Sequence, residues 1–112
     1  MDRESDDYLQ DILDAMEKAQ QFVKNLSYEE FTKDDKTVFA VVRALEIIGE
    51  ATKNIPDDNR KNNPDIPWKD MVGMRDILIH AYFGVDMETV WLTVTKRITE
   101  IKPLIQKMLK KL

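Results

Sequence analysis

The chain has 112 residues, 43% apolar and 34% charged, with a net charge of −4, which is the size of one domain (residues 1–112) around one core. It has no cysteine and one histidine, His80, which excludes disulfides, thiolate zinc sites, iron–sulfur clusters, a thiol nucleophile and a multi-histidine metal site within one chain. The three glycines, Gly49, Gly73 and Gly84, make no phosphate-binding loop, and a mildly acidic chain is not a bulk binder of nucleic acid.

Apolar residues recur at helical spacing almost throughout, and nowhere do they alternate convincingly with period two. In the first helix Leu9, Ile12, Leu13, Met16, Val23 and Leu26 form one stripe, and Asp6, Asp7 and Asp11 suit its partly positive N-terminal end. Ser27 and Glu30 have capping-box spacing, which predicts a break and a new capped turn; Thr32 and Asp35 repeat that spacing before the next run. A second long helix is expected over roughly 35–54, with Val38, Val41, Val42, Leu45, Ile48 and Ile55 on its apolar face. Its β-branched content is high, so packing rather than propensity must stabilise it. The polar stretch from Pro56 to Pro67 reads as loop, with one helical turn near Asp57–Lys61. Pro67 then suits the first position of a third helix, where its missing N–H costs nothing. That helix runs from about Trp68 to His80, with Gly84 as its stop and Asp86 as the cap of the next. The last helix starts at Met87, and Pro103 is expected to kink or interrupt it. The fold class is therefore all-α: an up-and-down bundle of four main helices plus short helical turns.

Charge is graded along the chain. Residues 1–20 carry seven acids and two bases, whereas 96–112 carry six bases and one acid. Two complementary terminal helices lying side by side are the simpler reading; a basic segment that helps to hold RNA is the other. No stretch approaches a membrane span, and the acidic start Met1-Asp2-Arg3-Glu4 lacks a signal-peptide layout, so a cytoplasmic protein with no membrane contact is expected. The acidic pairs Asp6-Asp7, Asp34-Asp35 and Asp57-Asp58 lack the spacing of a calcium loop, and no metal site is expected.

One stretch, Met74 to Asp86, places Arg75, Asp76, His80 and Tyr82 at the end of a helix. Asp76 and His80, four apart, are helix-surface neighbours, so the carboxylate can orient the imidazole. On an ideal helix position 80 lies well away from Arg75, so the two meet one substrate only if the helix ends near His80 or a second subunit completes the site. On the residues alone, such a set also serves as plain caps and ion pairs. It equally matches metal-free RNA cleavage, which needs a base for the 2′-hydroxyl, an acid for the leaving oxygen and a cation on the phosphoryl group. One chain supplies one imidazole, whereas a twofold dimer through this helix supplies two.

Arg75, four residues, then His80-Ala81-Tyr82 resembles the R-x4-H-x-Y signature of the HEPN superfamily, in its small HepT-like branch. Glu46-Ile47-Ile48-Gly49-Glu50-Ala51, Ile66-Pro67-Trp68, Gly73-Met74-Arg75, Tyr82-Phe83-Gly84-Val85-Asp86 and Val90-Trp91 are similar to segments of that branch in the same order. The resemblance implies a HEPN-like bundle that forms a homodimer with two motifs at a shared cleft. It implies a toxin-type ribonuclease that cleaves RNA without metal or cofactor, with Arg75 and His80 as active-site residues. It implies, as antitoxin partner, a minimal nucleotidyltransferase, which in some members blocks the RNA site by transferring AMP to the motif tyrosine, here Tyr82. The family often has Asn after the arginine; here Asp76 brings negative charge near an RNA phosphate. Glu46 and Glu50 are candidate cleft residues, with structural hydrogen bonding as the favoured role. A non-catalytic module that serves as the nucleotidyltransferase's partner and modification target is the alternative, and a plain helical dimer a third.

Overall fold

The structure is a computed structural model and describes residues 3–81 and 86–110, with side chains over 5–76 and 86–110. Every regular element among these is helical: α1 (Arg3–Val23), α2 (Tyr28–Lys33), α3 (Asp35–Lys53), α4 (Asp57–Lys61), α5 (Trp68–Ala81), α6 (Met87–Leu92) and α7 (Ile98–Lys110), with a π-helical segment, Thr93–Arg97, joining the last two. The expected four-helix architecture is present, with α6, the π segment and α7 as its fourth rod. No helix among the described residues is long and apolar enough to cross a membrane.

The core forms where the predicted stripes meet. Leu9, Ile12 and Met16 of α1 are fully buried, as are Val41, Leu45 and Ile48 of α3, Met71 of α5, and Ile98 and Ile105 of α7. Small residues on the facing helices (Ala15 and Ala19 on α1, Ala44 on α3) keep the α1–α3 pair close. Phe31, also fully buried, anchors short α2 to α6 by packing at a tilt against Trp91, with ring centroids 5.2 Å apart, and Tyr28 meets the same indole edge-on at 6.0 Å.

The terminal helices do lie side by side. Lys102 on α7 donates to Gln20 on α1 at 3.0 Å and stands 3.8 Å from Glu17. Arg97 is taken up by Asp70 at 2.6 Å and by Glu100. Two of the cations that make the C-terminal segment basic are thus engaged within the bundle.

The caps explain the element boundaries. Ser27 and Glu30 form the expected capping box: Glu30 N–H donates to Ser27 Oγ at 3.1 Å, and Ser27 N–H donates to the Glu30 carboxylate at 2.9 Å. The α3 cap, however, is Asp34 and not Thr32, whose hydroxyl donates instead to the Glu29 carbonyl. Asp34 accepts from the Thr37 hydroxyl at 2.7 Å and from its N–H at 3.1 Å, and these bonds hold its carboxyl below the usual aspartate range. A carboxyl depressed in the fold contributes stability above its unfolded pKa and loses that contribution as pH falls through the folded value. The protection factors of the Thr37 and Val38 amides, taken against intrinsic exchange at each pH, are therefore expected to fall in mild acid. Asp34→Asn should abolish that pH dependence, and an unchanged profile in the variant would disprove the assignment.

Two further expectations are corrected. Pro67 sits one position before α5 rather than at its first residue, and its carbonyl accepts the first helical bond, from Met71 N–H at 3.1 Å. Pro103 does not interrupt the last helix; α7 runs through it, and a π-helical segment lies ten residues earlier in sequence. The cause is a run of threonines: Thr93, Thr95 and Thr99 donate their hydroxyls to the carbonyls of Thr89, Trp91 and Thr95, competing with the backbone ladder. Ile98 N–H consequently reaches back five residues, to the Thr93 carbonyl. Asp86 caps α6 as expected, accepting from the Thr89 hydroxyl at 2.7 Å. Gly84, the expected stop of α5, lies outside the described residues.

Candidate active site

The motif helix is held at its base by the α3–α5 connection. Arg60 on α4 donates to the carbonyls of Thr52 (2.7 Å) and Ile55 (3.1 Å), closing the C-terminal end of α3. The Trp68 indole N–H donates to the Arg60 carbonyl at 3.2 Å and to that of Asn63 at 3.0 Å, so the first residue of α5 is tied to the same loop. Buried Met71 and Met74 then fix the rotation of α5 on the core.

Where α5 crosses α3, the helices touch at Gly49. A Cβ built there would stand 2.7 Å from Arg75 Cβ, 2.9 Å from Arg75 N and 3.2 Å from the Val72 carbonyl oxygen. Only glycine permits this approach, and the approach brings the next residue, Glu50, to Arg75: Glu50 Oε1 lies 2.8 Å from Arg75 Nε. Both side chains remain nearly half exposed, 43% for Arg75 and 48% for Glu50, so the pair adds little to stability. Its consequence is positional, because a carboxylate on Nε orients the planar guanidinium while the group stays open to solvent.

Glu46 pairs instead with Arg43, one turn earlier on α3. Asp76 is exposed on α5. Position 80 is within α5, whose backbone runs unbroken from Arg75 to Ala81; five helical residues turn through about 500°, which leaves positions 75 and 80 about 140° apart around the axis. The side chain of His80 and the whole of Tyr82 lie outside the described residues. Among the described residues no group of three or more acidic or histidine side chains is gathered to hold a metal ion.

Of the predicted set, the structure thus places Arg75 on the α3–α5 seam with Glu50, a candidate cleft residue for which structural hydrogen bonding was the favoured role. Gly49 was visible as part of a family-like segment, but its role as the contact point was not. A glycine within an otherwise apolar helical run, next to a glutamate, is the signal that points to a close helix crossing.

A family model described as Ribonuclease HepT-like matches residues 12–108. A Thermococcus cleftensis protein named "Probable ribonuclease HepT" is 51% identical over 110 residues, covering 98% of this chain and 100% of the relative. "Putative RNase MJ1216" of Methanocaldococcus jannaschii is 52% identical over 103 residues, 92% of this chain and 85% of the relative. A Caldanaerobacter subterraneus protein, "Putative RNase TTE0752", is 45% identical over 104 residues, 93% of each chain. No solved structure matches. The chain belongs to the HepT-like family of the HEPN superfamily.

Proposed function

We propose that the protein is a metal-independent endoribonuclease whose active site is completed by a second copy of the chain. The observation that carries this reading is the half-exposed Arg75, oriented by Glu50, on the motif helix of a chain whose relatives are named as ribonucleases. Arg75 binds the phosphoryl oxygens and His80 serves as general base or acid on the 2′-hydroxyl or the leaving oxygen. Tyr82 positions the substrate, and its phenol oxygen is the group to which a partner nucleotidyltransferase transfers AMP from ATP, with pyrophosphate leaving and the phenol proton released; the added phosphate then occupies the place of RNA phosphate. The protein is the toxin of such a toxin–antitoxin pair.

The unbroken course of α5 supports the two-chain site, because positions 75 and 80 of one helix face different directions and a twofold partner supplies the missing group. Phe39, 66% exposed, supports a docking face for that partner. It falls on one stripe of α3 with Arg43, Glu46 and Glu50, which has charges of both signs for twofold self-pairing and leads to Arg75.

A second reading, the non-catalytic partner module, is favoured by the carboxylates of Glu50 and Asp76 flanking Arg75, which oppose an RNA phosphate. Incubation of purified protein with RNA in EDTA decides between them. Cleavage, with a dimer in sedimentation equilibrium, supports the enzyme. Intact RNA together with AMP transfer to Tyr82 refutes it in favour of the module.

A further inference from the structure

Between α4 and α5 lies a shallow hollow. Its walls are Trp68 and Val72, and its rim carries Arg60, Lys61 and Lys69 against one carboxylate, Asp76. Gly73 is its floor, where an added Cβ would meet nothing within 4 Å among the described residues. The two helical glycines of the described bundle are therefore opposites: Gly49 is needed for contact, whereas Gly73 leaves space open.

The charges around the hollow are unequal in their commitments. Arg60 is fixed by its two carbonyl bonds, and Asp70, beside Lys69, is taken up by Arg97. No ion pair among the described residues engages Lys61 or Lys69, both of which are exposed. In an acidic chain, two exposed uncommitted lysines beside a fixed arginine make a local cationic rim.

The hollow is also aligned with the motif. Positions 69, 73, 76 and 80 recur at i, i+4, i+7 and i+11 and so share one face of α5, with about 16 Å of helix axis between Lys69 and position 80. A strand lying in the hollow is thereby led along the helix to the position of His80.

We infer that this hollow is a subsite for the ribose–phosphate backbone of single-stranded RNA flanking the cleaved bond, with Lys61 and Lys69 on its phosphates. The inference rests on the ribonuclease reading for the reaction, but it concerns binding and can be measured apart from cleavage. Because the rim offers charge and not base-reading groups, the subsite is indifferent to sequence. The open floor at Gly73 is what admits the sugar.

The test is fluorescence anisotropy of a fluorescein-labelled single-stranded RNA titrated against sodium chloride. It compares the wild type, the Lys61→Gln/Lys69→Gln double variant and Gly73→Leu, with KM and kcat measured in parallel. Two lost phosphate contacts should reduce the log–log salt slope by about 1.4, at about 0.7 for each phosphate of a single strand. KM should rise about tenfold across unrelated RNA sequences while kcat holds. Gly73→Leu, which fills the hollow with a better helix former, should raise KM without lowering the melting temperature. An unchanged slope in the double variant overturns the subsite and, if the wild type cuts RNA, leaves the ribonuclease reading standing. RNA binding without cutting, but with the expected loss of slope, supports the subsite and overturns that reading. A wild type that does not bind RNA overturns both. Unaltered RNA binding with impaired AMP transfer would reassign the hollow to protein docking and so also overturn the inference.

Discussion

His80→Ala is expected to lower kcat for RNA cleavage by about 10²–10⁴-fold while leaving the bundle folded, the range found when a positioned acid or base is removed. No other residue in the chain is an imidazole, so nothing nearby substitutes for it at neutral pH. Position 80 is in the last turn of α5, next to the end of the helix, and an alanine there is a better helix former than histidine. Arg75→Ala should lower kcat by about 10²–10³-fold, as loss of one donor to a developing oxyanion does. Arg75→Lys should recover little of this, because a point charge replaces a planar fork whose orientation Glu50 controls. Steady-state cleavage in EDTA, with circular dichroism to verify folding, measures all three. A His80→Ala protein that cuts within a factor of about three of the wild type would remove His80 from the mechanism.

Gly49→Ala and Gly73→Ala are expected to change stability in opposite directions, although both place the same methyl group in a helix. Alanine gains about 1 kcal/mol over glycine in a helix interior. At Gly73 the new methyl meets nothing within 4 Å among the described residues, so the full gain remains and the melting temperature should rise by several degrees. At Gly49 the methyl would lie 2.7 Å from Arg75 Cβ and 2.9 Å from its backbone nitrogen. Backbone cannot rotate aside as a flexible side chain does, so α5 must move away, and overpacking of this kind costs about 1–3 kcal/mol. The net expectation is a loss of up to about 2 kcal/mol at Gly49, by urea unfolding at matched protein concentration. The displacement also draws Glu50 away from Arg75, so kcat should fall in Gly49→Ala and hold in Gly73→Ala, where any loss is confined to KM. Equal stabilisation of the two variants would show that the close crossing does not exist.

The helical elements were legible because their causes are local. The turn at Asp57–Lys61, the capping box at Ser27 and Glu30, and the Asp86 cap each depend on residues within a few positions of one another. The errors were local competitions settled by side-chain reach. Asp34 stands nearer to the α3 amides than Thr32, and threonine hydroxyls disturbed the last helix where proline was expected to. At the candidate site, the motif residues could be read from their order, but their relations could not. Nothing in the spacing of Glu50 and Arg75, twenty-five positions apart, indicates a 2.8 Å bond between them.

The sequence by itself determined the all-α class, the helical registers, the candidate acid–base and cationic residues, and the restriction to a single imidazole per chain. Those follow from periodicity, capping chemistry and composition, which are properties of a chain before it packs. Only the tertiary structure decided that Gly49 is a contact point, that Glu50 holds Arg75, that Arg97 and Lys102 are committed within the bundle, and that Gly73 opens a basic hollow. Each of these depends on how close one helix comes to another and at what rotation, and that is set by the summed packing of the whole core.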